Sequence, residues 1–237
     1  MQVPINGKTL ELAQGDITAQ TVEVIVNAAN SSLAGGSGVN GAIQTRGGRA
    51  ILRETAERYP QGCPTGSAVI TGAGDLPCKY VIHAVGPIWR GGHYGEPDQL
   101  RSAYQESLRL AARYERRSIA FPALSTGVYG YPLAAGCRIA LQTVLDYLRS
   151  DQRRPQLVRF VLFDHLMFER FQSTLTELLE SPGERPAASF TLRPPWEEEP
   201  EEATPRDKMG DKTPRDEPPD KTPIDEPPPE SQRWLFD

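Results

Sequence analysis

The chain of 237 residues holds only three cysteines (Cys63, Cys78, Cys137) and three histidines (His83, His93, His165), scattered along its length. No CxxC, HExxH or histidine pair at ligand spacing occurs, which argues against a zinc site. No apolar run approaches the roughly 20 residues that span a bilayer. Met1–Leu10 lacks the basic-then-apolar pattern of a secretion signal. An odd cysteine count without that signal predicts a reducing, cytoplasmic setting. An excess of positive charge is missing too: 26 Lys and Arg stand against 31 Asp and Glu, so a sequence-reading DNA binder is not expected. The one GK[ST], Gly7–Thr9, has Gln2 where GxxxxGK[ST] needs its first glycine, so a Walker-type nucleotide site is not supported.

Proline is abundant, and unevenly so. Of 22 prolines, 13 fall in residues 181–237, a stretch with 15 acidic and 8 basic side chains. Its net charge of −7 leaves residues 1–180 at +2 in a chain of −5 overall. The low mean hydropathy of −0.48 comes from this uneven distribution. Asp211–Pro219 (DKTPRDEPP) is followed by Asp220–Pro228 (DKTPIDEPP), an imperfect nine-residue repeat. Proline and same-sign charge bury too little apolar area to offset ordering entropy. The expectation is one folded domain over 1–180 and a disordered, Pro-rich acidic tail over 181–237. The tail ends in Trp234, Leu235 and Phe236 within 231–237. That apolar island reads either as a docking segment for a protein partner or as an unselected terminus, and Trp196 is a weaker case of the same kind.

Residues 1–180 alternate between two periodicities. Strands are predicted at Lys8–Leu12, Val22–Val26, Ala68–Thr71, Tyr80–Val85, Ser118–Pro122 and Leu157–Phe163. Helices are predicted at Asn40–Arg58, Asp98–Arg113 with Asp98 as N-cap, Leu133–Arg149 and Phe168–Leu179. That alternation implies an α/β sheet with helices on both faces.

Loops rich in Gly or Asn follow several of the strands, and ligands of such sheets bind outside the strands' carboxyl ends. Residues 36–41 fit G-x-G-x-x-G. The first glycine stands too far from its strand for a dinucleotide fingerprint. What survives is a helix starting near Asn40 whose free N–H groups can face an anion. Pro122–Pro132 carries Ser125 and Thr126, with consecutive main-chain N–H groups able to nest a phosphate. Without a lysine, such loops suit holding a diphosphate rather than transferring it. Each also reads as a plain connection. Asp16 in Gly15–Thr18 reads first as a turn or cap residue, and Phe163 at a strand end reads first as core.

Together these segments resemble the macrodomain family, in its MacroD-type branch and most of all the bacterial O-acetyl-ADP-ribose deacetylases. The likeness rests on GDIT (15–18), VEVIVNAANSSLAGGSGVNGAI (22–43), GCPTGSAVIT (62–71), LPCKYVIHAVGP (76–87), VGPIWRGG (85–92) and SIAFPALSTGVYGYP (118–132). It implies a three-layer α/β/α sandwich with a mixed central sheet and ADP-ribose at its crest. Asp16 would take the adenine amino group, with Ile17 beside it and Phe163 against the ring. Gly38 and Val39, with Ser125, Thr126, Gly127, Val128 and Tyr129, would hold the diphosphate. Asn27 and Asn30 lie in the matching NAAN, Asn27 on the distal ribose. The branch pattern GGGGVDGAIH has an Asp linked to catalysis where this chain has Asn40, a His where it has Gln44, and a Gly where it has Ser37. It is also longer than this chain between Asp164 and Phe168. An amide can orient a water but cannot take its proton. The resemblance therefore implies slow hydrolysis of ADP-ribosyl esters, with Asn27 and Asn40 as the catalytic pair. The substrate would be mono-ADP-ribosylated Asp/Glu or O-acetyl-ADP-ribose, with no cofactor and no metal. The alternative is a non-catalytic ADP-ribose reader whose tail recruits a partner.

Overall fold

Asn6 and Gly7 both take positive φ, 48° and 74°. That is the geometry of a two-residue hairpin turn. It joins β1 (Gln2–Ile5) to β2 (Lys8–Gln14) in antiparallel register, Ile5 opposite Lys8. β1 lies outside the predicted strands, and the Asn-Gly pair was its signal. The computed structural model describes residues 1–180; the acidic tail, its repeat, Trp196 and the terminal apolar segment lie outside the described residues.

The remaining elements run β3 (Val24–Ala28), α1 (Gly38–Gly47), α2 (Arg49–Arg58), β4 (Ala68–Gly72), β5 (Tyr80–Ala84), α3 (Glu96–Arg113), β6 (Ser118–Phe121), α4 (Leu133–Arg149), β7 (Leu157–Leu162) and α5 (His165–Glu180). The predicted long first helix is broken at Gly48, whose φ of 76° and ψ of 179° no helix tolerates. α3 begins before Asp98: Gly95 in the left-handed region precedes it, and Pro97 sits in its first turn.

Seven strands form one mixed sheet in the order β1-β2-β7-β6-β3-β5-β4. β2, β7, β6, β3 and β5 are mutually parallel; β1 and β4 are antiparallel edges. α1 and α2 pack against each other, and α3, α4 and α5 pack in succession. Ile25, Val81, Ala120 and Val161 meet Ile43 of α1 and Ile51 of α2 in one buried cluster. Tyr104, Phe121, Phe160 and Phe171 form a chain of tilted rings 5.1–5.9 Å apart along consecutive pairs, joining α3 and α5 to β6 and β7. Each such fully buried side chain contributes about 1.5–3 kcal/mol. Layers of helix on either face of a sheet make the three-layer α/β/α sandwich. No helix among the described residues is long and apolar enough to cross a membrane.

Parallel strands share one carboxyl edge. The loops leaving β2, β7, β6, β3 and β5 therefore emerge together, which fixes where a ligand can sit. β3 pairs with β6 only at Val24 and Ile25, although β3 continues to Ala28. The two strands part towards that edge, and the crevice between them lies under the Gly-rich loops.

Candidate functional site

Asn27 follows Ile25 by two residues in β3, so its side chain faces α1 from the same side of the sheet. His83 is its register partner in β5. The Asn27 amide donates to Asn40 Oδ1 (3.0 Å) and to His83 Nδ1 (3.1 Å). Asn40 Nδ2 donates to the Ala34 carbonyl (3.1 Å), and Gln44, one turn further along α1, donates to Asn40 Oδ1 (3.4 Å). His83 Nε2 lies 2.9 Å from Thr71 Oγ1 of β4. Asn27 and His83 are each 1% exposed and Asn40 is 5% exposed. Asn27 Oδ1 and Gln44 Oε1 are buried with no hydrogen-bond partner among the described residues. Burial pushes the His83 imidazole down to about pKa 4, with the Glu54 carboxylate pulling the other way, so the ring is neutral. The polar layer beneath the crevice thus joins three strands and a helix. Sequence reading found Asn27 and Asn40. It missed His83, an isolated histidine in an apolar strand whose partner becomes visible only through strand register.

Asn30, which the resemblance places among the ligand-binding residues, has its amide engaged within its own loop. Its Oδ1 accepts from Ser32 Oγ (2.9 Å) and Ala34 N–H (3.1 Å), and its Nδ2 donates to Ala34 and Gly35 carbonyls (both 3.3 Å). It folds the 30–35 loop on itself and carries that loop to α1. Beyond Ala34, residues 35–40 donate no main-chain hydrogen bond among the described residues. Gly38, Val39 and Asn40 form the first turn of α1, where N–H groups are unpaired by construction. α1 starts at Gly38, with Ser37 as its N-cap.

The loop after β6 is anchored on both sides. Tyr104 Oη accepts from Leu124 N–H (2.9 Å), and Tyr131 N–H donates to the Ser125 carbonyl (3.0 Å). Ser125 sits at φ 65°, the left-handed region. Its hydroxyl is buried and unpartnered among the described residues, and it would lie 2.2 Å from a Cβ built on Gly86. A side chain at position 86 would push the Ser125 hydroxyl from this place. Between these anchors Ser125, Thr126, Gly127, Val128 and Tyr129 donate no main-chain hydrogen bond among the described residues. Two runs of free N–H groups therefore leave adjacent strands at one edge, an anion cradle without a lysine. The β5–α3 loop borders it: Trp89 N–H donates to the Tyr129 carbonyl (2.9 Å). Buried Glu96 holds that loop by accepting from the N–H groups of Arg90 (3.0 Å), Gly92 (3.1 Å) and Tyr94 (2.6 Å).

At the far end, Gly15 N–H donates to Leu162 O (2.9 Å), bringing the exits of β2 and β7 together. Asp16 caps the short 3-10 helix Ile17–Ala19: its Oδ1 accepts from Thr18 N–H (2.8 Å) and Oγ1 (2.6 Å), while Oδ2 pairs with Arg46 (3.1 Å). Its carboxyl is held below the usual range, first by the Thr18 hydroxyl. The Ile17 side chain is buried in the core cluster, leaving its main chain to serve the crest. Phe163 is 80% exposed, so the core reading from sequence was wrong. β7 ends at Leu162 and α5 starts at His165, which leaves the ring outside the packing.

Burial raises the thiols of Cys63 and Cys137 to about pKa 11 and raises Cys78 as well. None is a nucleophile at neutral pH. No group of three or more His, Cys, Asp or Glu among the described residues is placed to hold a metal. A hollow of about 640 Å³ opens at the opposite edge of the sheet, beside Lys8, Glu115, Arg153 and Arg154. The Lys8 ammonium there is already spent on the carbonyls of Leu148 (3.0 Å) and Ser150 (2.8 Å). That hollow is remote from the cradle.

Comparison with known proteins agrees with this geometry. The family model for the Macro domain matches residues 26–140. A macro domain-containing protein of Caldanaerobacter subterraneus subsp. tengcongensis is 53% identical over 171 residues, covering 71% of this chain and 97% of that one. An O-acetyl-ADP-ribose deacetylase of Cronobacter sakazakii is 51% identical over 176 residues, covering 73% and 97%. Among solved structures, a point mutant of the Oceanobacillus iheyensis macrodomain with ADPR superposes with a TM-score of 0.73 at 41% identity, covering 76% of this chain and 99% of that one. The Trypanosoma brucei macrodomain in complex with ADP-ribose gives 0.64 at 38% identity, covering 69% and 68%. The chain belongs to the macro domain family.

Proposed function

We propose that the crest binds ADP-ribose and that the chain hydrolyses ADP-ribosyl esters, releasing mono-ADP-ribose from Asp or Glu side chains or acetate from O-acetyl-ADP-ribose. The observation that carries this reading is the pair of free N–H runs, 35–40 and 125–129, at neighbouring strand ends beside a buried, unpartnered Asn27 carbonyl. Main-chain dipoles preorganised in this way hold a diphosphate without competing for its charge. In this reading the ligand runs along the crest in the order of the strands. Adenine lies at the β2–β7 end, with Asp16 accepting from its amino group and Phe163 against its face. The diphosphate lies over Gly38, Val39 and Ser125–Tyr129. The distal ribose reaches Asn27 and Asn40. Relatives named O-acetyl-ADP-ribose deacetylase and neighbours holding ADP-ribose support the assignment.

Asn40 makes the reaction slow. Both of its polar atoms are engaged, and an amide takes no proton from water. A general base contributes about 10²–10⁴ in rate. Its role here passes to the substrate's own diphosphate, and positioning does the rest because an ester already has a good leaving group. The test is single-turnover release of ADP-ribose from a Glu-modified protein. Release that depends on Asn27 is the expected result. The same engagement of Asn40 favours a second reading, a reader that binds without turnover and recruits a partner through its tail. Calorimetric binding of ADP-ribose with no release under any condition would select it.

A further inference from the structure

We infer that His83 is a positioning residue: together with Thr71 it sets the hydrogen-bond polarity of Asn27, so that the cleft presents a carbonyl acceptor to a sugar hydroxyl. Two backbone carbonyls dictate this from opposite ends of the polar layer. At one end Thr71 Oγ1 donates its only proton to the Gly72 carbonyl (3.0 Å). It can then only accept from His83 Nε2, 2.9 Å away. The proton of the neutral ring is therefore on Nε2, and Nδ1 is an acceptor. At the other end Asn40 Nδ2 donates to the Ala34 carbonyl, which turns Asn40 Oδ1 towards Asn27 as a second acceptor. Asn27 stands between two acceptors and gives one N–H to each. Its amide has one remaining group, the carbonyl oxygen, buried and unpartnered among the described residues. A buried acceptor without a donor is a standing demand for one, and a hydroxyl-bearing ligand meets it.

Rotating the Asn27 amide would place its oxygen against two acceptors and its N–H groups where the hydroxyl belongs. The Nδ1–H tautomer of His83 would favour that rotation. Burial keeps the ring from becoming a donor at both nitrogens, since its pKa lies at about 4. The identity of the hydroxyl as that of the distal ribose rests on the proposed ADP-ribose reading; the polarity of the layer does not.

The experiment has two arms on the full chain. Long-range ¹H–¹⁵N spectra of the His83 ring, assigned with His83→Gln, read the tautomer without any ligand. The expected result is the Nε2–H form; the Nδ1–H form overturns the inference. Calorimetry then compares ADP-ribose with ADP, which lacks the distal ribose. In His83→Phe, ADP-ribose affinity should fall about tenfold, as for one lost hydrogen bond, while ADP affinity stays within about twofold. His83→Gln, which accepts from Asn27 and donates to Thr71, should restore most of the difference. Equal loss of both ligands in a folded His83→Phe, or retention of the preference, overturns the positioning role. Should the wild-type chain bind neither ligand, the ADP-ribose reading fails, and the tautomer still decides the polarity of Asn27.

Discussion

At the β2–β7 end of the crest the side chains stand in water: Phe163 is 80% exposed, and Asp16 reaches Arg46 at the surface. At the β3–β5 end Asn27 and His83 are each 1% exposed, within a layer of amides, an imidazole and a hydroxyl. The first end can adjust to its ligand, and solvent screens its charges. The second cannot adjust, because each member's donors and acceptors are fixed by its neighbours. Substitutions at the buried end should therefore change both stability and chemistry. Those at the exposed end should change binding alone.

The largest effect is expected from Asn40→Asp. A carboxylate beside the distal ribose should raise single-turnover ester hydrolysis by up to about 10²–10⁴. Its oxygen would also meet the Ala34 carbonyl that the Asn40 amide now donates to, so thermal stability should fall by about 1–3 kcal/mol. An unchanged rate would remove position 40 from the chemistry.

His83 comes next. Its pKa is about 4 in the fold against 6.5 in a free chain. Folding favours the neutral ring, so its stabilisation is complete above about pH 6.5 and is lost as pH falls towards 4. The shift corresponds to about 3 kcal/mol. Asp16 and Glu23, whose carboxyls are lowered, act below about pH 4.5. Denaturant unfolding at pH 7 and pH 4.5 should show the loss in the wild type and a flatter profile in His83→Phe. A shared profile would contradict a buried neutral ring.

Asn27→Ala should weaken ADP-ribose by about 1–3 kcal/mol, as for a buried hydrogen bond. Phe163→Ala should cost about 1 kcal/mol of binding, the low end for a base on an aromatic face, without moving the melting temperature. The smallest change is expected for Arg46→Ala, whose surface pair with Asp16 is worth at most about 1 kcal/mol; added salt should mask it.

The same contrast separates what the sequence announces from what it withholds. Alternating strands and helices, and the loops after β3 and β6, follow from periodicity and from Gly, Asn and Ser in runs. β1 escaped because four residues with a proline look like a terminus, although Asn6-Gly7 marks the hairpin. The break at Gly48 escaped although Gly47-Gly48 marks it, because the apolar spacing of Ile43, Ile51 and Leu52 runs across the pair. Phe163 reads first as core, against its exposure, because a strand's last residue can face either core or solvent. His83 carries no local signal: its meaning comes from standing opposite Asn27 in a parallel pair and from Thr71 on the next strand. Asn30 illustrates the converse, an asparagine in a recognisable motif whose amide is used up inside its own loop.

The most direct test is a crystal of the chain grown with ADP-ribose. Diphosphate oxygens within about 3 Å of main-chain nitrogens in both 35–40 and 125–129, with a ribose hydroxyl on Asn27 Oδ1, are what the account predicts. A ligand seated in the hollow beside Arg153 and Arg154, or a diphosphate held by side chains away from those two runs, would contradict it.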